Sequence, residues 1–134
     1  MNKLIVLAVI AASALAATAA WPQQGAFQAT RYFESPLEKD PTRMVRLQSE
    51  FMPPGSGNAF HRHPGDQWSA VQEGEVTFTI KGQPPRVLKV GDSIYVPRGT
   101  IHRNQNLTDK PARAINLNIM DKDKPQTQVV TETQ

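Results

Sequence analysis

From Met44 to Phe51 the side chains alternate, with Val45, Leu47, Ser49 and Phe51 set against Met44, Arg46, Gln48 and Glu50. Val76-Thr77-Phe78-Thr79-Ile80 alternates again, and Ile115, Leu117 and Ile119 alternate with Asn116, Asn118 and Met120. Successive side chains of an extended chain leave on opposite faces, so a period of two rich in β-branched and aromatic residues predicts strands. Turn-forming groups divide them: Pro53-Pro54-Gly55, Glu73-Gly74, Lys81-Gly82, Gly91-Asp92 and Pro97-Arg98-Gly99. Gly55, Gly74, Gly91 and Gly99 are expected at turns that need positive φ. Past residue 20 there is no helical apolar stripe and no internal repeat. The chain therefore reads as one all-β domain, a sandwich or a barrel.

The ends depart from this pattern. Met1-Asn2-Lys3 is a short basic start, Leu4 to Leu15 is apolar, and Ala17-Thr18-Ala19-Ala20 supplies small residues. That order predicts a secretory signal peptide over 1–20, cleaved after Ala19 or Ala20, and a periplasmic or secreted protein. Residues 21–42 are expected to form an N-terminal arm and first strand, and residues 43–122 the main domain. Residues 123–134 read as a polar C-terminal tail, poorly ordered from Gln126 onward.

Composition narrows the partners. There is no cysteine, which excludes disulfides and a cysteine-linked lipid anchor. Cleavage would leave 14 basic and 12 acidic side chains, a formal +2. The basic residues are scattered singly, without a run or interleaved aromatics, so no nucleic-acid footprint is present. No second apolar stretch follows the first, so no membrane association is expected after cleavage.

All 3 histidines fall within two short motifs. The first is Gly55, five residues, His61-Arg62-His63, three residues, Gln67, six residues, Gly74. The second is Gly91, five residues, Pro97, one residue, Gly99, two residues, His102, three residues, Asn106. His61 and His63 stand at i and i+2, so on a strand both imidazoles leave from one face, and Arg62 points away. Pro64-Gly65-Asp66 reads as a turn that returns Gln67 to the same place. His102 arrives from another strand. Three imidazoles suit one divalent first-row ion, with positions left for Gln67, water or substrate. The predicted metal residues are His61, His63, Gln67 and His102, and the metal is Fe, Mn, Ni, Cu or Zn. Asn106 is expected to close a loop through its amide. Phe78 and Trp68 are expected in the core or cavity wall, and Tyr95 at the cavity or core. Arg98 and Arg103 are expected beside the mouth, and Glu73 and Glu75 in solvent. No catalytic residue is identified.

These two motifs, in this order and 16 residues apart, resemble the paired motifs of the cupin family. The first departs from the family pattern at one place, where Gln67 replaces a Glu. The resemblance implies a double-stranded β-helix, or jelly-roll barrel, with the metal inside. A single copy implies a monocupin, a class that is often homodimeric. It also implies dioxygenase, isomerase or lyase chemistry on a small polar organic molecule. Cupins that handle unsaturated uronates pair three His with a Gln in the same way. The Gln leaves the formal charge at the metal undiminished and gives up the carboxylate that serves as a base in some cupin dioxygenases. Two readings stand beside the enzyme: a non-catalytic periplasmic binder of metal or small ligand, and a barrel stapled by a structural ion.

Overall fold

The computed structural model describes residues 25–131, so the predicted signal peptide lies outside the described residues. They form strands only: β1 (Gln28–Leu37), β2 (Asp40–Met52), β3 (His61–Arg62), β4 (Gly65–Glu73), β5 (Glu75–Ile80), β6 (Arg86–Lys89), β7 (Ser93–Val96), β8 (His102–Gln105), β9 (Ala112–Asp121) and β10 (Gln128–Val129). Two five-stranded sheets result, in the orders β1-β2-β9-β4-β7 and β10-β3-β8-β5-β6, with every pairing antiparallel. This is the all-β jelly roll that the motif resemblance implies. Gly55, Gly74, Gly91 and Gly99 all have positive φ.

The barrel interior is divided along its length. Met52, Val71, Val76, Phe78, Leu88, Ile94, Val96, Ala112 and Ala114 form the apolar core. Along the same buried faces the side chains then turn polar: Met52 gives way to Glu50 and Gln48 on β2, Val71 to Ser69 and Gln67 on β4, and Ala112 and Ala114 to Asn116 and Asn118 on β9. The register holds these rows level, with Gln48 and Ser69 flanking Asn116, and Gln67 opposite Asn118. One half of the barrel is an ordinary core. The other is a buried polar chamber.

The alternation is real, but its sense is reversed at this end. Leu47, Ile115, Leu117 and Ile119 lie on the outer face of the β1-β2-β9-β4-β7 sheet, while their polar neighbours are buried. Trp68 and Tyr95 lie outside as well, 40% and 50% exposed, with rings stacked at 5.2 Å. Neither lines the cavity or the core, which corrects both expectations. They pair directly across β4 and β7, and each is one residue from an inward-facing neighbour, Gln67 or Val96, so both point outward. The expected turn at Pro64-Gly65-Asp66 is also different. Gly65 already belongs to β4 and pairs with Met120, so the chain passes from β3 in one sheet to β4 in the other.

Over residues 126–130 the C-terminal segment is not a loose tail. Gln128 pairs with Arg62 and Val129 with His61, and Val130 N–H donates to the Phe60 carbonyl at 2.9 Å. The short edge strand β3 supplies a partner that composition alone does not reveal.

Candidate metal centre

His61 lies on β3, His63 just beyond it, and His102 opens β8, opposite His61 in the ladder. All three are buried, and one ligand nitrogen from each falls within 4.8 Å of the others. Their ring centroids are 4.4 to 5.2 Å apart. Phe78 stacks on His102 at 5.3 Å, forming the floor between chamber and core.

Hydrogen bonds fix the tautomers. His61 Nδ1 meets the Ala59 carbonyl at 2.8 Å, His63 Nδ1 the Gln126 carbonyl at 2.7 Å, and His102 Nδ1 the Thr100 carbonyl at 2.9 Å. A carbonyl oxygen only accepts, so each Nδ1 carries the hydrogen and each Nε2 carries the lone pair. His102 Nε2 is buried with no partner in the protein. A free buried acceptor is costly unless something binds it. Three imidazoles, each oriented from behind by a carbonyl and clustered with the others, fit a divalent metal ion. Gln67, 2% exposed, hydrogen-bonds His63 from β4. The structure thus brings all four expected residues together.

Burial pushes His61, His63 and His102 below the ordinary imidazole value, His102 to about 4 from 6.5. The folded protein keeps these rings neutral while the unfolded chain protonates them. Between pH 6.5 and about 4 the unfolded state therefore binds more protons, and stability falls as pH falls. Metal-stripped protein is expected to melt at a lower temperature at pH 5 than at pH 7. Thermal unfolding followed by circular dichroism checks this, and an unchanged midpoint contradicts it.

The cluster opens into a cavity of about 180 Å³, lined by Gln48, Glu50, Asn58, His61, His63 and Gln126 among others. No lysine or arginine lines it. Arg98, expected near the mouth, is held in a bidentate pair with Asp121 at 2.8 and 2.7 Å. That pair holds the Asp121 carboxyl well below the usual carboxylate range. Arg103 lays its guanidinium over the Phe60 ring at 4.6 Å. Asn106 closes its loop as expected, its amide donating to the Met52 and Lys110 carbonyls at 2.9 and 2.7 Å. Glu73 and Glu75 pair with Arg113 and Lys89 on the surface.

The sequence reading missed two parts of the site. Gln126 orients His63 through its carbonyl and donates to Gln48 Oε1 at 2.9 Å. Glu50 is a carboxyl group only 7% exposed, on the wall of the cavity. Its place in the buried series Gln48, Glu50, Met52, leading straight into the first motif, was the available signal.

A family model described as the cupin domain matches residues 49–119. This chain belongs to the cupin family. Among curated relatives, the dimethylsulfoniopropionate lyase DddQ of Ruegeria pomeroyi is 36% identical over 67 residues, 50% of this cupin and 33% of the lyase. The YdbB protein of Bacillus subtilis is 37% identical over 59 residues, 43% of this cupin and 49% of that protein. This chain thus spans between a third and a half of the length of these relatives. The crystal structure of the Ruegeria pomeroyi lyase superposes with a TM-score of 0.65 at 26% identity, covering 78% of this cupin and 52% of the lyase. A cupin-like protein of Thermotoga maritima superposes at 0.64 with 21% identity, covering 83% and 88% of the two chains. That similarity shows the fold alone.

Proposed function

We propose that this cupin is a metal-dependent enzyme acting on a small, oxygen-rich organic acid, with lyase-type chemistry. The observation that carries this reading is the set of three buried imidazoles, each held at Nδ1 by a backbone carbonyl, that cluster beside a small cavity. His61, His63 and His102 would hold a divalent first-row metal through Nε2, and Gln67 through its side-chain oxygen. The metal would supply Lewis-acid polarisation of a substrate oxygen. Because Gln67 is neutral, the centre keeps a formal +2, which suits an anionic substrate in a cavity without basic side chains.

The protein's own groups do the rest. Apolar residues below Phe78 keep water from the back of the chamber. Asn118, fully buried and with neither amide atom bonded within the protein, faces the row of Gln67 and offers both a donor and an acceptor to a bound oxygen. The similarity to dimethylsulfoniopropionate lyase supports bond cleavage without an oxidant.

The expected result is that metal-loaded protein cleaves dimethylsulfoniopropionate or another small acid with a leaving group β to its carboxylate, without oxygen uptake. Gln67→Glu lowers the charge at the metal and is expected to slow turnover about tenfold or more while tightening metal binding. Oxygen consumption matching turnover, or no turnover across propionates, diketones, flavonols and unsaturated uronates with every first-row metal, contradicts the reading.

We also propose that the protein works outside the cytoplasm, a reading supported by the basic, apolar and small-residue order of residues 1–20. A homodimer is proposed with it, packed through the apolar outer face at Leu47, Trp68, Ile115 and Leu117. Amino-terminal sequencing and sedimentation equilibrium of exported protein test the two points.

A further inference from the structure

Glu50 has no counter-charge. No basic side chain pairs with it among the described residues, and its Oε2 accepts a hydrogen bond from Asn104 Nδ2 at 3.1 Å. Gln48 and Asn116 stand beside it. Every one of these neighbours is a neutral amide. A buried carboxylate held only by amides is expensive unless it has a task, since desolvation disfavours its charged form. Burial accordingly pushes its carboxyl up, against the pull of the Asn116, Asn104 and Gln48 amides.

Its position is as telling as its surroundings. Glu50 lines the same cavity as His61 and His63, yet it is not one of the residues whose ligand atoms cluster within 4.8 Å. It is therefore placed beside the metal site rather than in it. The titratable groups sharing the cavity are His61 and His63; β8 and β9 present amides, and Gln126 on the far wall is an amide too. Gln67 cannot move a proton, so Glu50 is the one carboxyl on this wall that can.

We propose that Glu50 is the acid–base residue of this site, taking a proton from the carbon next to the carboxylate of a bound small acid. This rests on the lyase-type reading above. The Glu50 carboxylate forms the new O–H bond as the C–H bond breaks. The C–H electron pair becomes the new C=C bond. The bond from the adjoining carbon to its leaving group breaks, and its electron pair departs with that group. Glu50 then returns its proton to the leaving group or to water. The Asn104 amide is a positioning group that holds the carboxyl through Oε2. A raised affinity for protons makes Glu50 a stronger base than an exposed glutamate.

The test uses metal-loaded full-length mature protein and two readouts. The first is covalent labelling with glycidate, a small carboxylate carrying an epoxide. A carboxylate that faces the bound acid opens the epoxide, forming an ester as the ring C–O bond breaks and the alkoxide takes up a proton. Peptide mass spectrometry is expected to find the ester on Glu50, to find it suppressed by excess malonate, and to find none in Glu50→Gln. The second readout is kinetic. Glu50→Gln is expected to keep its metal content and to bind malonate within about threefold of the parent, while kcat falls at least about a hundredfold, the scale of one general acid–base group. Glu50→Asp is expected to recover part of kcat at unchanged metal content.

Labelling elsewhere but not on Glu50 overturns the assignment, as does a Glu50→Gln protein with undiminished kcat. A merely structural Glu50 would give that second result, because the isosteric amide keeps the fold. Labelling of Glu50 in a protein that turns over none of the small acids upholds its place against the bound acid but overturns the lyase reading and the acid–base role that rests on it.

Discussion

His102→Ala is expected to yield a folded protein without stoichiometric metal and with turnover reduced at least about a thousandfold. The side chain is fully buried, and its free Nε2 is one of three converging donors. Loss of a group that merely orients a ligand costs roughly 10- to 100-fold in metal affinity or activity, so loss of a ligand itself exceeds that. The fold should tolerate the change. The substitution opens a cavity against Phe78, but it also removes a buried acceptor that the metal-free protein leaves unpaired. His102→Gln fills more of the space and separates packing from ligation. Plasma mass spectrometry of the purified proteins, beside their far- and near-ultraviolet circular dichroism, checks the outcome. Full metal content in a folded His102→Ala protein contradicts the assignment.

Gly65→Ala is expected to be among the most damaging small substitutions in the chain, costing about 3 kcal/mol or more, the upper range of overpacking. A methyl group at this position would lie 2.0 Å from the Ile119 carbonyl oxygen and 2.5 Å from Met120 Cα. Both are backbone atoms of β9, so no side chain can swing aside. Relief requires β4 and β9 to separate, and Gln67 sits two residues further along the same strand. The damage should therefore reach the site as well as the fold. Gly82→Ala is the control, because nothing lies within 4 Å of a methyl group there. It should lose only the backbone penalty of positive φ, roughly 1–2 kcal/mol. Urea unfolding of the three proteins measures the difference. Equal losses at the two glycines would show that β4 and β9 can part enough to admit a methyl group, against the close approach at Gly65.

The histidine cluster was the most legible part of this sequence, because its geometry is local. An i, i+2 histidine pair shares a face on any strand, and the turn glycines announce where the second motif begins. What the alternation hid was the direction of each face. Where β2 and β9 pass the chamber, Leu47, Ile115 and Leu117 point outward and the polar Gln48, Glu50, Asn116 and Asn118 point inward. Hydrophobicity predicts burial only where the interior is an oil-like core, and here half of it is a polar site. Glu50 went unread for that reason: an isolated acid in an alternating strand looks like a solvent-facing residue. Trp68 and Tyr95 were misplaced by the converse error. The closing strand β10 has two residues and no pattern of its own, and it exists because β3 leaves an edge free beside His61.

The most direct test of the account is anomalous diffraction from crystals of the mature protein loaded with one first-row metal. The account predicts a single peak within bonding distance, about 2.0–2.2 Å, of Nε2 of His61, His63 and His102, with the Gln67 amide oxygen facing it. A metal found elsewhere, or bound through fewer than all three imidazoles, would contradict it.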